Sequence, residues 1–459
     1  MEQAFLSALP LGRLDRGIQK KAKRNVLTSS AASTYLFSSF EICDDDGVLL
    51  GLNKSNRSLA VVDIFNTAKY NNANMAILGS SGAGKTFTMQ CLATRMREKG
   101  IQVFILAPDK GHEFKRACNS IGGQYVLISS GSPHRINIME IRPQDDEVQK
   151  LIDGDDLEMS RLADKASQVG LFVKLLADDM SKEEEQLLDE AIMRTYAKKG
   201  ITTDNRSLYR NGKDGPYKEM PILEDLYDEL KKDPLSRRIA NILNRLVHGS
   251  ASSFNGQTNV DLDNKYIVLD ISRLSEGLKT VGMFVALDFV WDKAKEDRTK
   301  RKAVFMDELW TLIGSSSDPM AAKFVLSIFK TIRGYGGAAI AATQDLTDFF
   351  ALDNGNYGKG IINNSQTKII LKLGQGEAKF VSETLGLTST ETMEITKFER
   401  GNGLVITNGN NVMIEFKAGK LETELITTDR LLLTEYAVNR RLEQQADGDE
   451  ECEEVIQLC

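Results

Sequence analysis

Three short segments hold side chains suited to phosphate chemistry. GSSGAGKT at 79–86 fits the pattern G-x-x-x-x-G-K-[ST], with the apolar run NMAIL (74–78) before it and helical spacing after it. Gly79, Gly82 and Gly84, with Ser80, Ser81 and Ala83 between them, let the backbone wrap closely enough for successive N–H groups to point at a phosphate. The helix that follows adds partial positive charge at its N-terminus. Lys85 is placed to reach the β- and γ-phosphates of ATP, and Thr86 to ligate Mg²⁺. In FMDELW (305–310), Asp307 ends an apolar run, where it can hold the Mg²⁺ shell opposite Thr86. Glu308 comes next, placed to take a proton from the water that attacks the γ-phosphate. An Asp-Glu pair at a strand end is common, and it gains this meaning only from the phosphate loop upstream.

TIRGYGGAAIAATQD (331–345) ends an apolar strand on Gln344. In a parallel sheet that end lies beside the γ-phosphate, where an amide can bond both water and phosphate and so distinguish ATP from ADP. The plainer reading is an amide that caps the strand. Arg333 precedes the same strand and is a candidate to neutralise transition-state charge in a neighbour's site; equally, it offsets a helix dipole. Arg400, in FERGNGLV, is a second candidate, with a surface salt bridge as its plain alternative. Asp109 and Glu113, in LAPDKGHEF, are placed to face the nucleotide, though Asp109 could instead cap a helix. Trp291 and Trp310 read as core rather than as base-stacking platforms.

The elements that must position these groups read as an α/β fold with a mostly parallel central sheet and an inserted all-helical subdomain. Strand-like runs are SLAVVDIF, NMAIL, IQVFILAPD and QYVLISS, then KYIVLDIS, KAVFMDELW, GAAIAATQD and TKIILKL. Near-continuous apolar runs of this kind mark strands buried on both faces. GLVITNGNNVMIEFK (403–417) alternates about Asn-Gly, a hairpin signal. Between 143 and 250 the spacing is helical, and Ser181 with Glu184 forms a capping box. The divisions are 1–50, a linker or remnant of a missing N-terminal domain; 51–142, the first part of the core; 143–250, the helical subdomain; 251–427, the second part of the core; and 428–459, a C-terminal helix and acidic tail.

The 459 residues, 41% hydrophobic and 27% charged, suit a soluble globular chain, and no apolar run approaches the roughly 20 residues of a membrane span. The net charge of −7 comes from the tail 443–459, which holds seven acidic residues and no basic ones and reads as a solvated segment. Without it 58 basic residues face 58 acidic ones, so charge does not indicate DNA contact. One stretch, 13–24, has six positive charges and one negative, and reads as solvated surface. Cys43, Cys91, Cys118, Cys452 and Cys459 show no metal spacing and fit a reducing compartment.

The ordered set GSSGAGKT, LAPDKGHEF, GGQYVLISSGSPHRINIM, SFNGQTNVDLDNKYIVLDIS, KAVFMDELW, RGYGGAAIAATQD and FERGNGLV resembles the large ATPase of conjugative type IV secretion systems. This is the TraC/TrwK-like family, the fourth VirB protein, within the HerA/FtsK division of RecA-like motors. The similarity runs from about residue 4 to 440 and includes LSALPLG, like the junction before that family's ATPase domain. It implies a RecA-like P-loop NTPase core that uses ATP and Mg²⁺ to drive pilus assembly and the transfer of DNA or protein. It further implies self-association as hexamers or dimers, and a peripheral place on the cytoplasmic face of the inner membrane. Partners would be other secretion components, including the coupling protein. Residue by residue, Lys85, Thr86, Asp307, Glu308 and Gln344 match the family's nucleotide motifs, and Arg333 and Arg400 its arginine-bearing segments. The family's N-terminal domain is nearly absent here. The alternative is a DNA-pumping HerA/FtsK-like translocase or a conjugative coupling protein, for which a basic, aromatic-lined pore loop is the missing feature.

Overall fold

The computed structural model describes residues 5, 15–22, 27–28, 30, 40–144, 160–177, 179–211, 215–261, 263–314, 317, 319–429 and 431–438. LSALPLG, the acidic tail, Cys452 and Cys459 lie outside them. The chain divides into two units, Met1–Phe40 and Glu41–Cys459. In the first, the basic stretch contains the helix Arg16–Ala22, whose first turn donates backbone N–H groups of Gly17 (2.8 Å) and Ile18 (3.2 Å) to the Asp15 carboxylate.

The second unit is built on one 11-stranded sheet. Its strands are β1 (Val48–Asn53), β2 (Leu59–Val62), β3 (Met75–Leu78), β4 (Gln102–Ala107), β5 (Gln124–Leu127) and β6 (Tyr266–Asp270). They continue as β7 (Lys302–Met306), β8 (Gly337–Thr343), β9 (Thr367–Ile370), β10 (Asn402–Thr407) and β11 (Asn410–Glu415). The spatial order is β2-β1-β11-β10-β9-β3-β8-β7-β4-β6-β5. From β9 to β5 every pairing is parallel, whereas β10, β11, β1 and β2 extend the sheet with antiparallel pairings. The β10–β11 turn is Asn408-Gly409, with φ of 49° and 74°, the left-handed pair that a two-residue hairpin uses.

The sequence reading assigned residues 1–50 to a linker, but β1 starts at Val48 and Cys43 bridges to Val61. The signal was weak because Gly51 interrupts the alternation. Its hydrogen is required by the partner strand: a Cβ there would sit 2.1 Å from the Glu415 carbonyl oxygen.

Side chains of the central strands alternate between two cores. Phe104, Leu106, Ala339 and Ala341 share one with the helical insert, while Val103, Ile105, Ile340 and Ala342 pack with Met89, Leu92 and Met96 on the other face. The insert comprises helices Arg161–Lys174, Lys182–Lys198, Leu223–Leu230 and Arg237–Val247, which contribute Phe172, Leu188, Tyr196, Leu226 and Leu243 to the first core. Ser181 accepts from the Glu184 N–H (3.2 Å), and Glu184 accepts from the Ser181 N–H (3.0 Å), fixing the start of the second of these helices.

Two buried cations tie elements together. Lys165, in the insert, donates to Asp288 (2.9 Å) and Asp292 (2.6 Å) of the helix Glu276–Glu296, and Lys295 reaches Asp292 at 2.8 Å. Burial pushes the Asp288 carboxyl up despite Lys165. Burial acts the same way on Asp292, but Lys165, Lys295 and Arg142 outweigh it and hold that group below the usual carboxylate range. Arg95, in the helix Lys85–Glu98, is bidentate to Glu422 (2.6 and 2.8 Å) and donates to the carbonyls of Leu49 (2.6 Å) and Lys417 (2.7 Å).

At the opposite edge from the strand C-termini, Lys302 is buried and donates to the carbonyls of Asp297, Lys300 and Tyr335. Burial pulls its amine down to about 8, with Asp297 opposing. The unfolded chain, with the ordinary value of 10.5, therefore binds more protons than the folded one between these limits, and stability from this group rises with pH across that window. Lys302→Met is expected to flatten this part of the pH dependence, measured as the difference in thermal midpoint between pH 8 and pH 10. An identical difference in both proteins would refute the assignment. Among the described residues, no helix is long and apolar enough to cross a membrane.

Candidate active site

β3 ends in the phosphate loop, which leads directly into the helix Lys85–Glu98. Gly82 and Gly84 take φ of 80° and 99°, the left-handed region that strains any residue with a Cβ. At Gly84 a Cβ would also press against Arg400 Cγ and the Gly401 nitrogen, both at 3.4 Å. The helix has no side-chain cap and no acidic residue in its first turn, so its N–H groups and dipole face outward without a competing anion. Ser80 anchors the loop: its N–H (3.0 Å) and hydroxyl (3.2 Å) reach the Lys372 carbonyl, and the hydroxyl lies 3.0 Å from the Glu377 carboxylate.

The neighbouring strands supply the other groups because β3, β8 and β7 lie side by side in that order. Register places Leu78 beside Thr343, so Gln344 emerges next to Gly79. β7 delivers Asp307, whose N–H still bonds Leu106 of β4 (3.0 Å), and then Glu308. Glu308 has φ of 46°, an uncommon conformation for a residue with a side chain, and strain of this kind gathers at functional sites. Its N–H bonds the Asp307 carboxylate at 3.0 Å.

Lys85 Nζ lies 2.7 Å from Glu308 Oε1 and 3.5 Å from Asp307 Oδ1, and all three are at least 93% buried. The other Glu308 oxygen, Oε2, accepts from Trp310 Nε1 at 2.9 Å. Burial raises the Glu308 carboxyl, the Asp307 charge adds to this, and Lys85 and Trp310 oppose it.

Lys85, Asp307 and Glu308 line one cleft, which also takes in Ser80, Ser81, Gly82, Gly84, Thr86, Asp109, Glu113, Gln344 and Arg400. Gly79 and Ala83, also in the loop, are not among the residues lining the cleft; the Gly79 N–H bonds the Thr343 carbonyl (3.4 Å) and the Ala83 N–H the Ser80 carbonyl (3.1 Å). Asp109 does not cap the helix Gly111–Ser120, where Lys110 holds that position without a side-chain bond; it pairs instead with Lys279 at 3.0 Å. Arg400 is exposed, at the cleft rim, and belongs to the same chain as the loop it covers.

Arg333 is also exposed but lies before β8, with Gln344 after it. The seven residues of that strand separate them by roughly 23 Å at about 3.3 Å per residue, so Arg333 does not reach its own chain's cleft. Phe87, Lys110 and Thr428 line the cleft without having been singled out in the sequence. Lys110 was discoverable as the neighbour of Asp109; Thr428 carried no local signal.

The donors present fit ATP and Mg²⁺. The loop offers unopposed N–H groups to phosphate, and the Thr86 hydroxyl and Asp307 carboxylate are hard oxygen ligands of the kind Mg²⁺ takes together with phosphate oxygens.

Sheet order, phosphate loop and the acidic strand end together define a RecA-like P-loop NTPase. Residues 51–444 match the TraG P-loop domain, and the chain belongs to that family. It is 26% identical to TraC of Escherichia coli K12 over 386 residues, covering 80% of this chain and 40% of TraC. An uncharacterised Bacillus anthracis protein, pXO2-09, is 23% identical over 432 residues, covering 83% of this chain and 66% of that one. The structure of VirB4 of Thermoanaerobacter pseudethanolicus superposes with a TM-score of 0.73 at 27% identity, over 84% of this chain and 100% of VirB4. These similarities set the chain beside TraC and VirB4. It spans two fifths of the length of TraC and about two thirds of the Bacillus protein.

Proposed function

We propose that this chain is the ATP-hydrolysing motor domain of a type IV secretion or conjugative transfer apparatus, powering pilus assembly and the transfer of DNA or protein. The convergence of Lys85, Asp307, Glu308 and Gln344 in one cleft carries the reading. Lys85 and the loop N–H groups bind the β- and γ-phosphates, with Asp109 and Glu113 at the edge of the nucleotide. Thr86 and Asp307 hold Mg²⁺, which when bound offsets charge on the phosphate oxygens. Glu308 takes the proton of the attacking water, and Gln344 orients that water against the γ-phosphate. Similarity to TraC and VirB4 supports self-association as a hexamer or dimer, contact with other secretion components including the coupling protein, and peripheral attachment at the cytoplasmic face of the inner membrane.

Purified protein is expected to hydrolyse ATP only with Mg²⁺, and Lys85→Ala to lose this activity. Stimulation of many-fold by DNA, falling steeply with salt, would favour the DNA-pumping alternative instead. Because Arg400 stands over Gly84 of its own loop, it is assigned to act in cis. Arg400→Ala is expected to lower kcat about 10²-fold or more, and mixing it with Lys85→Ala subunits to restore nothing. Rescue in a mixture of Arg333→Ala and Lys85→Ala subunits would identify Arg333 as a residue acting in trans.

A further inference from the structure

We propose that Trp310 is a positioning residue that holds the Glu308 carboxylate in place once Lys85 turns to the phosphates, an inference that rests on Glu308 being the base. Glu308 divides its oxygens between two donors: Lys85 takes Oε1 at 2.7 Å and Trp310 takes Oε2 at 2.9 Å. A phosphate-loop lysine is needed at the β- and γ-phosphates, so ATP competes with Glu308 Oε1 for Lys85 and draws it away. Oε1 is then open to water, and the indole N–H is what still fixes the carboxylate.

Indole nitrogen suits this task because it donates and does not accept. It can neither take the proton that Glu308 removes nor present a lone pair to the attacking water. Its own position is over-determined. Trp310 opens the short helix Trp310–Ile313, and its half-buried ring packs against the larger core. The turn before it is pinned by Leu309 N–H to the Ala342 carbonyl (3.2 Å) and by Thr311 N–H to the Glu308 carbonyl (3.0 Å). The left-handed backbone of Glu308 turns its side chain back toward the indole two residues on.

The same contact makes Trp310 an optical probe. The protein has two tryptophans, and the other, Trp291, lies in the helix Glu276–Glu296, where it packs edge-on against Tyr335 and has no contact with Glu308 among the described hydrogen bonds. In a Trp291→Phe background, emission reports Trp310 alone. Saturating Mg²⁺ and a non-hydrolysable ATP analogue should shift that emission, because Lys85 leaves the carboxylate to which the indole is bonded. Trp310→Phe keeps a six-membered aromatic ring against the core and removes the fused pyrrole with its N–H. It should lower kcat per folded molecule about 10- to 100-fold, the scale of a small misplacement of a reacting group, with KM for ATP little changed. A residue that served packing alone would instead lower the midpoint and leave kcat per folded molecule intact.

Wild-type kcat in Trp310→Phe would overturn the proposal, as would an unmoved Trp310 emission at nucleotide saturation verified by calorimetry. Failure of the underlying reading is distinguishable: Glu308→Gln would then hydrolyse ATP at the wild-type rate whatever Trp310→Phe does.

Discussion

Glu308→Gln is expected to lower kcat for ATP hydrolysis by about 10²–10⁴-fold while ATP continues to bind. Glutamine keeps the length and planarity of the side chain and can still accept from Trp310, so the backbone at φ 46° is asked for nothing new. What it loses is the capacity to take a proton. It also removes a negative charge 2.7 Å from Lys85, leaving that buried ammonium with Asp307 at 3.5 Å as its remaining carboxylate neighbour. A phosphate then meets less competition for Lys85, and nucleotide affinity should rise rather than fall. Steady-state hydrolysis and equilibrium ATP binding, measured on the same preparation, check both halves. Retained turnover would exclude Glu308 as the base, and weakened binding would mean that its charge does not compete for Lys85.

The largest expected effect on stability lies away from the cleft. Lys165→Met should destabilise the fold by about 3–5 kcal/mol, the usual cost of leaving one partner of a buried ion pair uncompensated. The reason is specific to the arrangement. Asp288 and Asp292 are 98% and 96% buried, and with the ammonium gone they face each other across one helical turn. Asp288 Oδ1 already lacks a partner among the described residues, so it has no second bond to fall back on. Combining Lys165→Met with Asp288→Leu should recover much of the loss, because Asp292 keeps Lys295 at 2.8 Å while the other two charges leave together with their desolvation cost. Chemical denaturation midpoints test this: if the single and double substitutions are equally unstable, the cluster does not act through charge.

The parts of the site that could be read from sequence are those whose geometry is local. Strand, loop and helix around Lys85 follow one another without interruption, so spacing alone conveys their arrangement. Asp307 and Gln344 were legible because each ends a short apolar run, and strand ends of a parallel sheet share one edge. Arg400 was harder to place. It nears Gly84 only because β10 runs antiparallel beside β9 and returns the chain to the loop, a pairing that spacing does not encode. Arg333 shows the converse: eleven positions from Gln344 in sequence, it is held a full strand length away by β8. The bond from Trp310 to Glu308 depends on a left-handed turn at a glutamate, for which the sequence offers no cue. β1 escaped notice because Gly51, which the adjacent strand requires, breaks the period on which strand recognition depends.

The Arg95 contacts bear on where this folding unit can be cut. One guanidinium joins the helix behind the phosphate loop to Leu49 near the start of the unit and to Lys417 and Glu422 near its end. A chain shortened to stop after the hairpin would retain every phosphate-binding residue. It would nevertheless leave a buried cation without its carboxylate, in the last turn of the helix that begins at the phosphate loop. The smallest piece that can fold around ATP therefore runs past the hairpin, at least to Glu422.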